Sequence, residues 1–136
     1  MEETINKVEA LPSYGKLALA LSKAQLEFKQ VSKDAKANLG SYSYNYATLP
    51  NVIDSAKDAL AKNELAFTQL VQSKGDTTIL NTMLIHSSGQ YVSSDYALPS
   101  PAAKKPQEFA SFLTYARRYA LTSILGIAAD DDDDGS

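Results

Sequence analysis

The chain has 136 residues and a formal net charge of −3, but the charge is uneven: Asp130 to Asp134 carry five negative charges, and without them the rest is +2. That length suits one domain with a core of its own. Disulfides and thiolate metal sites are excluded because there is no cysteine. No run approaches the length of a membrane span, and the start MEETINKVEA lacks the basic-then-apolar form of a signal peptide, so an intracellular protein without membrane contact is expected.

Residues 1–12 read as a flexible lead-in. From Ser13 as N-cap, a helix is predicted to about Lys36, with Leu17, Leu21, Ala24, Phe28 and Val31 on its apolar stripe. Lys23, Lys29, Lys33 and Lys36 occupy its other sides. A wet helix face accounts for them, and Lys33 and Lys36 are also candidates for contact with an anionic partner. Asn38-Leu39-Gly40 reads as the helix stop.

In SYSYNYATLP, Tyr42, Tyr44 and Tyr46 alternate with small polar residues, which puts the three rings on one face of a short strand. They are either sheet cover or groups that stack on bases. Tyr44 and Tyr46 are candidates for the second role, since base–aromatic stacking is worth about 1–3 kcal/mol per base whatever the sequence. Thr48 with Pro50 opens a second helix to about Lys62-Asn63, with Leu49, Val52, Ile53, Ala56 and Leu60 inward.

Leu65–Gln72, Thr77–Ile85 and Gln90–Leu98 then read as three strands, joined by Lys74-Gly75-Asp76 and Ser87-Ser88-Gly89. The expected fold class is α+β: an antiparallel β-meander packed by N-terminal helices and a long C-terminal helix.

Residues 99–106, PSPAAKKP, form a loop. From Gln107 a helix is predicted in which Phe109, Phe112, Leu113, Ala116, Tyr119, Ala120, Ile124 and Ile127 share one stripe. At about 100° per residue, Arg118 falls opposite that stripe and Arg117 at its edge. Adjacent arginines on a helix commonly mark a solvated face. Here Glu108 is the only acid between Pro99 and Ala129, so Lys104, Lys105, Arg117 and Arg118 make the densest basic patch, suited to an anion. Arg117, at the stripe's edge, has a structural alternative such as an ion pair with Asp95. Residues 13–129 are taken as the domain and 130–136 as an acidic, disordered tail that solubilises, competes for the basic surface, or docks on a basic partner.

The chemistry of catalysis is thin. His86 stands alone at a strand end, no Gly-rich phosphate loop is present, and no nucleophile has a base beside it. A run of aspartates lacks the fixed scaffold a two-metal nuclease needs. No enzyme, catalytic residue, metal or cofactor is expected.

Three segments carry a resemblance: YNYATLPNVIDSAKDALAKNEL (44–65), TTILNTMLIHSSGQYVSSDYALP (77–99) and QEFASFLTYARRYALTSILGIAADDDDDG (107–135). Together they resemble the Erf family of phage single-strand annealing recombinases. The most specific part is TYARRYAL at 114–121, followed by Leu-Gly-Ile and the acidic cluster. The resemblance implies kinship with the wider annealing superfamily that includes the eukaryotic Rad-fifty-two protein. It implies a β-β-β-α core, assembly into homo-oligomeric rings or filaments, and ATP-independent pairing of complementary strands in phage or prophage recombination. The implied partners are single-stranded DNA and a host single-strand-binding protein, in the cytoplasm of a bacterial host. Carried over by motif, Arg117 and Arg118 become the phosphate-contacting pair, with Tyr115 and Tyr119 beside them. Many members extend past the acidic cluster, which leaves open a function seated in a further C-terminal segment. The competing reading is a protein-interaction module whose acidic tail docks on a basic partner.

Overall fold

The computed structural model describes residues 13–130. The lead-in at 1–12 and, of the acidic tail expected at 130–136, residues 131–136 lie outside the described residues. The architecture is α+β with antiparallel sheets and a long closing helix, as the sequence predicts. Helix α1 spans Gly15–Glu27, β1 Ala35–Leu39, β2 Tyr42–Tyr46, α2 Leu49–Lys62, β3 Leu65–Lys74, β4 Thr77–His86, β5 Tyr91–Leu98 and α3 Pro106–Leu125.

The three-stranded sheet has the order β3-β4-β5. Lys74 pairs with Thr77, so Gly75 and Asp76 alone make the first turn, and Gly75 takes the positive φ (+61°) that such a turn requires. One face of the sheet is set by alternation: Leu80, Thr82 and Leu84 of β4 are all buried, opposite Phe67 and Gln69 of β3 and Val92 and Tyr96 of β5. The three helices cover that face. Leu17 and Ala24 of α1, Val52, Ala56 and Leu60 of α2, and Leu121 and Leu125 of α3 form one apolar core with Leu65 and Leu84. A second cluster joins Ala116 and Ala120 of α3 to Leu80 and Leu98.

The first helix is shorter than its periodicity predicts. It ends at Glu27 rather than near Lys36, and its N-cap is Tyr14 rather than Ser13. Phe28 and Val31 still pack on the core, but from an extended segment. Tertiary hydrogen bonds hold that segment against α2. The Lys29 N–H donates to the Ser55 carbonyl (2.9 Å), the Asn51 side chain donates to the Ser32 carbonyl (2.7 Å), and Asp34 accepts from Thr48. Thr48 precedes α2, yet its hydroxyl points to Asp34 and caps nothing in the helix.

Asn38-Leu39-Gly40 is therefore a strand end and turn rather than a helix stop. Leu39 pairs with Tyr42, and Gly40 (φ +73°) with Ser41 closes a hairpin of β1 on β2 that the sequence reading does not contain.

Candidate functional site

Helix α3 begins where Pro106 fits a first turn and the Glu108 carboxylate accepts the Lys105 backbone N–H at 3.2 Å. It stops at Gly126, whose φ of +76° reverses the chain while the Ile127 N–H returns to the Thr122 carbonyl. The chain then runs back extended beside the end of β2. The Ala47 N–H donates to the Ala129 carbonyl at 2.8 Å, and Tyr46 forms an antiparallel bridge with Asp130.

This return carries Asp130 onto Arg118, whose Nη1 donates to the Asp130 carboxylate. The Arg118 guanidinium lies 4.6 Å from the centroid of the Tyr46 ring and 5.9 Å from that of Tyr115. Cation–π contact and an ion pair thus hold one side chain from both sides. Arg118 is only 7% exposed. The expectation that it lies opposite the buried side of the helix is corrected: α3 has two buried faces, not one. On the second, Arg118, Leu121 and Leu125 recur at spacings of three and four: Leu121 and Leu125 pack into the core with α1 and α2, while Tyr46 of β2 and Asp130 of the return segment cover Arg118. That spacing is present in the sequence and marks the second face.

Arg117 is half-buried, and its backbone carbonyl accepts from Gln69 Nε2 at 3.0 Å. The same Gln69 nitrogen donates to the buried Thr82 hydroxyl, tying β3 and β4 to α3. The suggested partner Asp95 is engaged elsewhere: it accepts from Asn81 Nδ2 and pairs with Lys74 Nζ, both at 2.9 Å. Those two donors, Asn81 first, hold its carboxyl below the ordinary aspartate range.

The remaining candidates are scattered. Lys104 and Lys105 are exposed at the start of α3. At about 1.5 Å per residue they lie about 20 Å along the helix from Arg118, so the patch that is dense in sequence is long and thin in space. Lys33 is exposed on the extended link. Lys36 is exposed and pairs across from Asn45, on the hairpin face away from Tyr44 and Tyr46.

Aromatic side chains converge where the lysines do not. Tyr44 and Tyr46, both half-buried, are 6.1 Å apart by ring centroid. Tyr115 and Tyr119 stack nearly parallel, at 6.2 Å and 18°, and each is about half exposed (46% and 51%). Tyr119 meets Tyr96 of β5 edge-on at 5.5 Å, and Phe112 lies 6.5 Å from Tyr96 and 6.2 Å from Tyr115. Arg118 links the two tyrosine pairs, so an aromatic ladder crosses from the hairpin over α3 to the sheet edge. Tyr115, Tyr44 and Tyr46 are brought together as sequence candidates. The contributions of Tyr96 and Asp130 depend on tertiary contacts that no local pattern announces.

Among the described residues, no three His, Asp or Glu side chains converge as a metal site. No described helix is long and apolar enough to cross a membrane. His86 bonds through Nδ1 to the Ser88 hydroxyl within its own hairpin.

No curated protein and no solved structure matches the chain. A family model does match, over residues 17–136, which takes in all but the first two residues of α1, every later element and the whole aromatic ladder. The chain belongs to the ERF superfamily, a family of phage single-strand annealing proteins.

Proposed function

We propose that this protein binds single-stranded DNA and anneals complementary strands without ATP, acting as a homo-oligomer in phage or prophage recombination inside a bacterial host. The family match over 17–136 carries the reading, and the exposed aromatic ladder on α3 supports it. Bases stack on tyrosines irrespective of sequence, and Tyr115 and Tyr119 present half their surface to solvent. Tyr44 and Tyr46 extend that platform toward the hairpin. Arg117, Lys104, Lys105, Lys33 and Lys36 serve as phosphate contacts, which carry no sequence information.

Arg118 has a different part in this reading. Its guanidinium is already occupied by Asp130 and Tyr46, so it fixes the ladder, and it reaches phosphate only when Asp130 leaves. For assembly, β3 is an edge strand with Leu70 and Val71 half exposed, a surface suited to another copy. A host single-strand-binding protein is a further partner of the reading.

The test is anisotropy of a labelled single-stranded oligonucleotide titrated with salt, alongside annealing of complementary strands without ATP. Log affinity should fall with log salt by about 0.7 for each phosphate neutralised. Replacing Lys104, Lys105 and Arg117 by Gln should reduce that slope without altering the circular dichroism. Absence of binding at low salt overturns the reading. Deleting residues 131–136 separates it from a tail-docking interaction module: DNA binding should persist or tighten, whereas docking on a basic partner through the tail would vanish.

A further inference from the structure

Between β5 and the C-terminal half of α3 lies an open groove of about 410 Å³. Its walls include Val92, Ser94 and Asp95 from β5 and Tyr119, Ser123 and Ile124 from α3. Tyr115 covers the side of the Tyr119 ring that faces the helix N-terminus, nearly parallel at 18°. Tyr96 meets Tyr119 edge-on and steadies it. One turn further on, the helix carries Ser123, a side chain too small to cover the other side of the ring. Its hydroxyl is turned back onto the Tyr119 carbonyl at 2.7 Å. The slot therefore starts at a half-exposed aromatic face.

Its chemistry is mixed in a particular way. Val92 and Ile124 supply apolar walls, and Ser94 adds a neutral hydroxyl. Asp95 borders the slot from the edge of β5, but its carboxylate is turned to the opposite face of the sheet, where it bonds to Asn81 and Lys74. No lysine or arginine is among the lining residues, so the slot suits the flat face of a base better than a phosphate. The volume is near the small end of ligand pockets, enough for one planar heterocycle and too little for a base pair with its backbone.

We infer that this slot takes a single unpaired nucleobase, stacked on the open face of Tyr119 with its polar edge toward Ser94. The inference rests on the single-strand reading above and deepens it: beside the open stacking platform, this slot encloses one base between Tyr119 and β5. A base seated there is turned away from a pairing partner, so a bound strand is held with most bases free and an occasional base captured.

The test compares two labelled single strands of equal length and phosphate count, one with all bases and one with abasic sites at intervals. The intact chain should bind the base-bearing strand about tenfold more tightly, as expected for stacking. Tyr119→Ala should narrow that ratio about fivefold, and Tyr119→Phe should keep it. Ser123→Leu, at an exposed helix position, fills the slot and should narrow the ratio even where Tyr119→Ala fails to fold. Equal affinity of the intact chain for both strands overturns the slot and leaves the single-strand reading standing. A ratio unchanged in Tyr119→Ala and Ser123→Leu overturns it likewise. If neither strand binds, the single-strand reading falls and the slot with it.

Discussion

The Arg118 guanidinium packs over the Tyr46 ring at 4.6 Å while donating to the Asp130 carboxylate. Three separate stretches of chain, a hairpin strand, a helix and the residues after that helix, meet at this one side chain. Removing it should therefore cost stability first. Arg118→Ala leaves Asp130 and the Tyr46 ring without their partner. Breaking a buried ion pair costs about 3–5 kcal/mol, and because Asp130 is half exposed, about 2–3 kcal/mol is expected here. Arg117→Ala, which loses only a half-buried side chain, should cost less than about 1 kcal/mol. Urea unfolding of the two variants measures the difference, and the reverse order would contradict the placement of the pair.

Asp130 should behave as part of the fold and not of a tail. Asp130→Ala is expected to lower stability by about 1–2 kcal/mol and to speed hydrogen exchange at the Ala47 amide, which bonds to the Ala129 carbonyl. Deleting 131–136 should leave that amide protected. Equal exchange in both variants would show that the return segment docks without Asp130.

Gly126 is the hinge of the return. A Cβ there would lie 2.9 Å from Gln25 Nε2, and the backbone φ is +76°. That nitrogen donates to the Leu125 carbonyl at 3.1 Å, so α1 caps the end of α3. Gly126→Ala should cost about 1–2 kcal/mol from the left-handed conformation alone. Combined with Gln25→Ala, the loss should be less than additive, because the displaced hydrogen bond is already gone. Strict additivity in thermal unfolding would place the whole cost in the backbone.

Asp34 should contribute to the acid limb of stability. The backbone N–H of Thr48 is the largest cause holding its carboxyl below the ordinary aspartate value, with the Thr48 hydroxyl and Asn51 adding to it. A depressed folded-state pKa stabilises above the unfolded pKa, and the contribution is lost as pH falls through the folded value. Thermal midpoints of the native chain and Asp34→Asn should differ most at neutral pH and converge as pH falls through the depressed folded-state value, below the ordinary 3.8. A constant offset at every pH would assign the effect to shape and not to charge.

Much of the fold is legible along the chain. The β3–β4–β5 meander, α2 and α3 follow from periodicity two and 3.6 with glycine turns, all of them local signals. The hairpin of β1 on β2 does not, because AKANL at 35–39 has no strand pattern of its own; its pairing with the tyrosine strand and the hydrogen bonds from α2 to the preceding link decide its conformation. The functional candidates divide the same way. Tyr44 and Tyr46 stand out by their alternation and Tyr115 by the family motif, and the structure brings Tyr46 and Tyr115 to opposite sides of Arg118 with Tyr44 beside Tyr46. Lys104 and Lys105 belong to the same basic stretch of sequence as the arginines but lie about 20 Å from Arg118 along the helix.

The sequence by itself determined that this is an α+β annealing-family domain closed by a helix bearing adjacent arginines, since hydrophobic period and motif are properties of short stretches. Which arginine faces outward was decided by the tertiary structure, because the spacing of Arg118, Leu121 and Leu125 does not say what covers that side of the helix. A helix cannot know from its own stripe how many neighbours will cover it. The reversal at Gly126 brings Asp130 and the β1–β2 hairpin over Arg118, and that contact spans 72 residues of chain between Tyr46 and Arg118. Long-range packing turned the more exposed arginine of the helical wheel into the buried one.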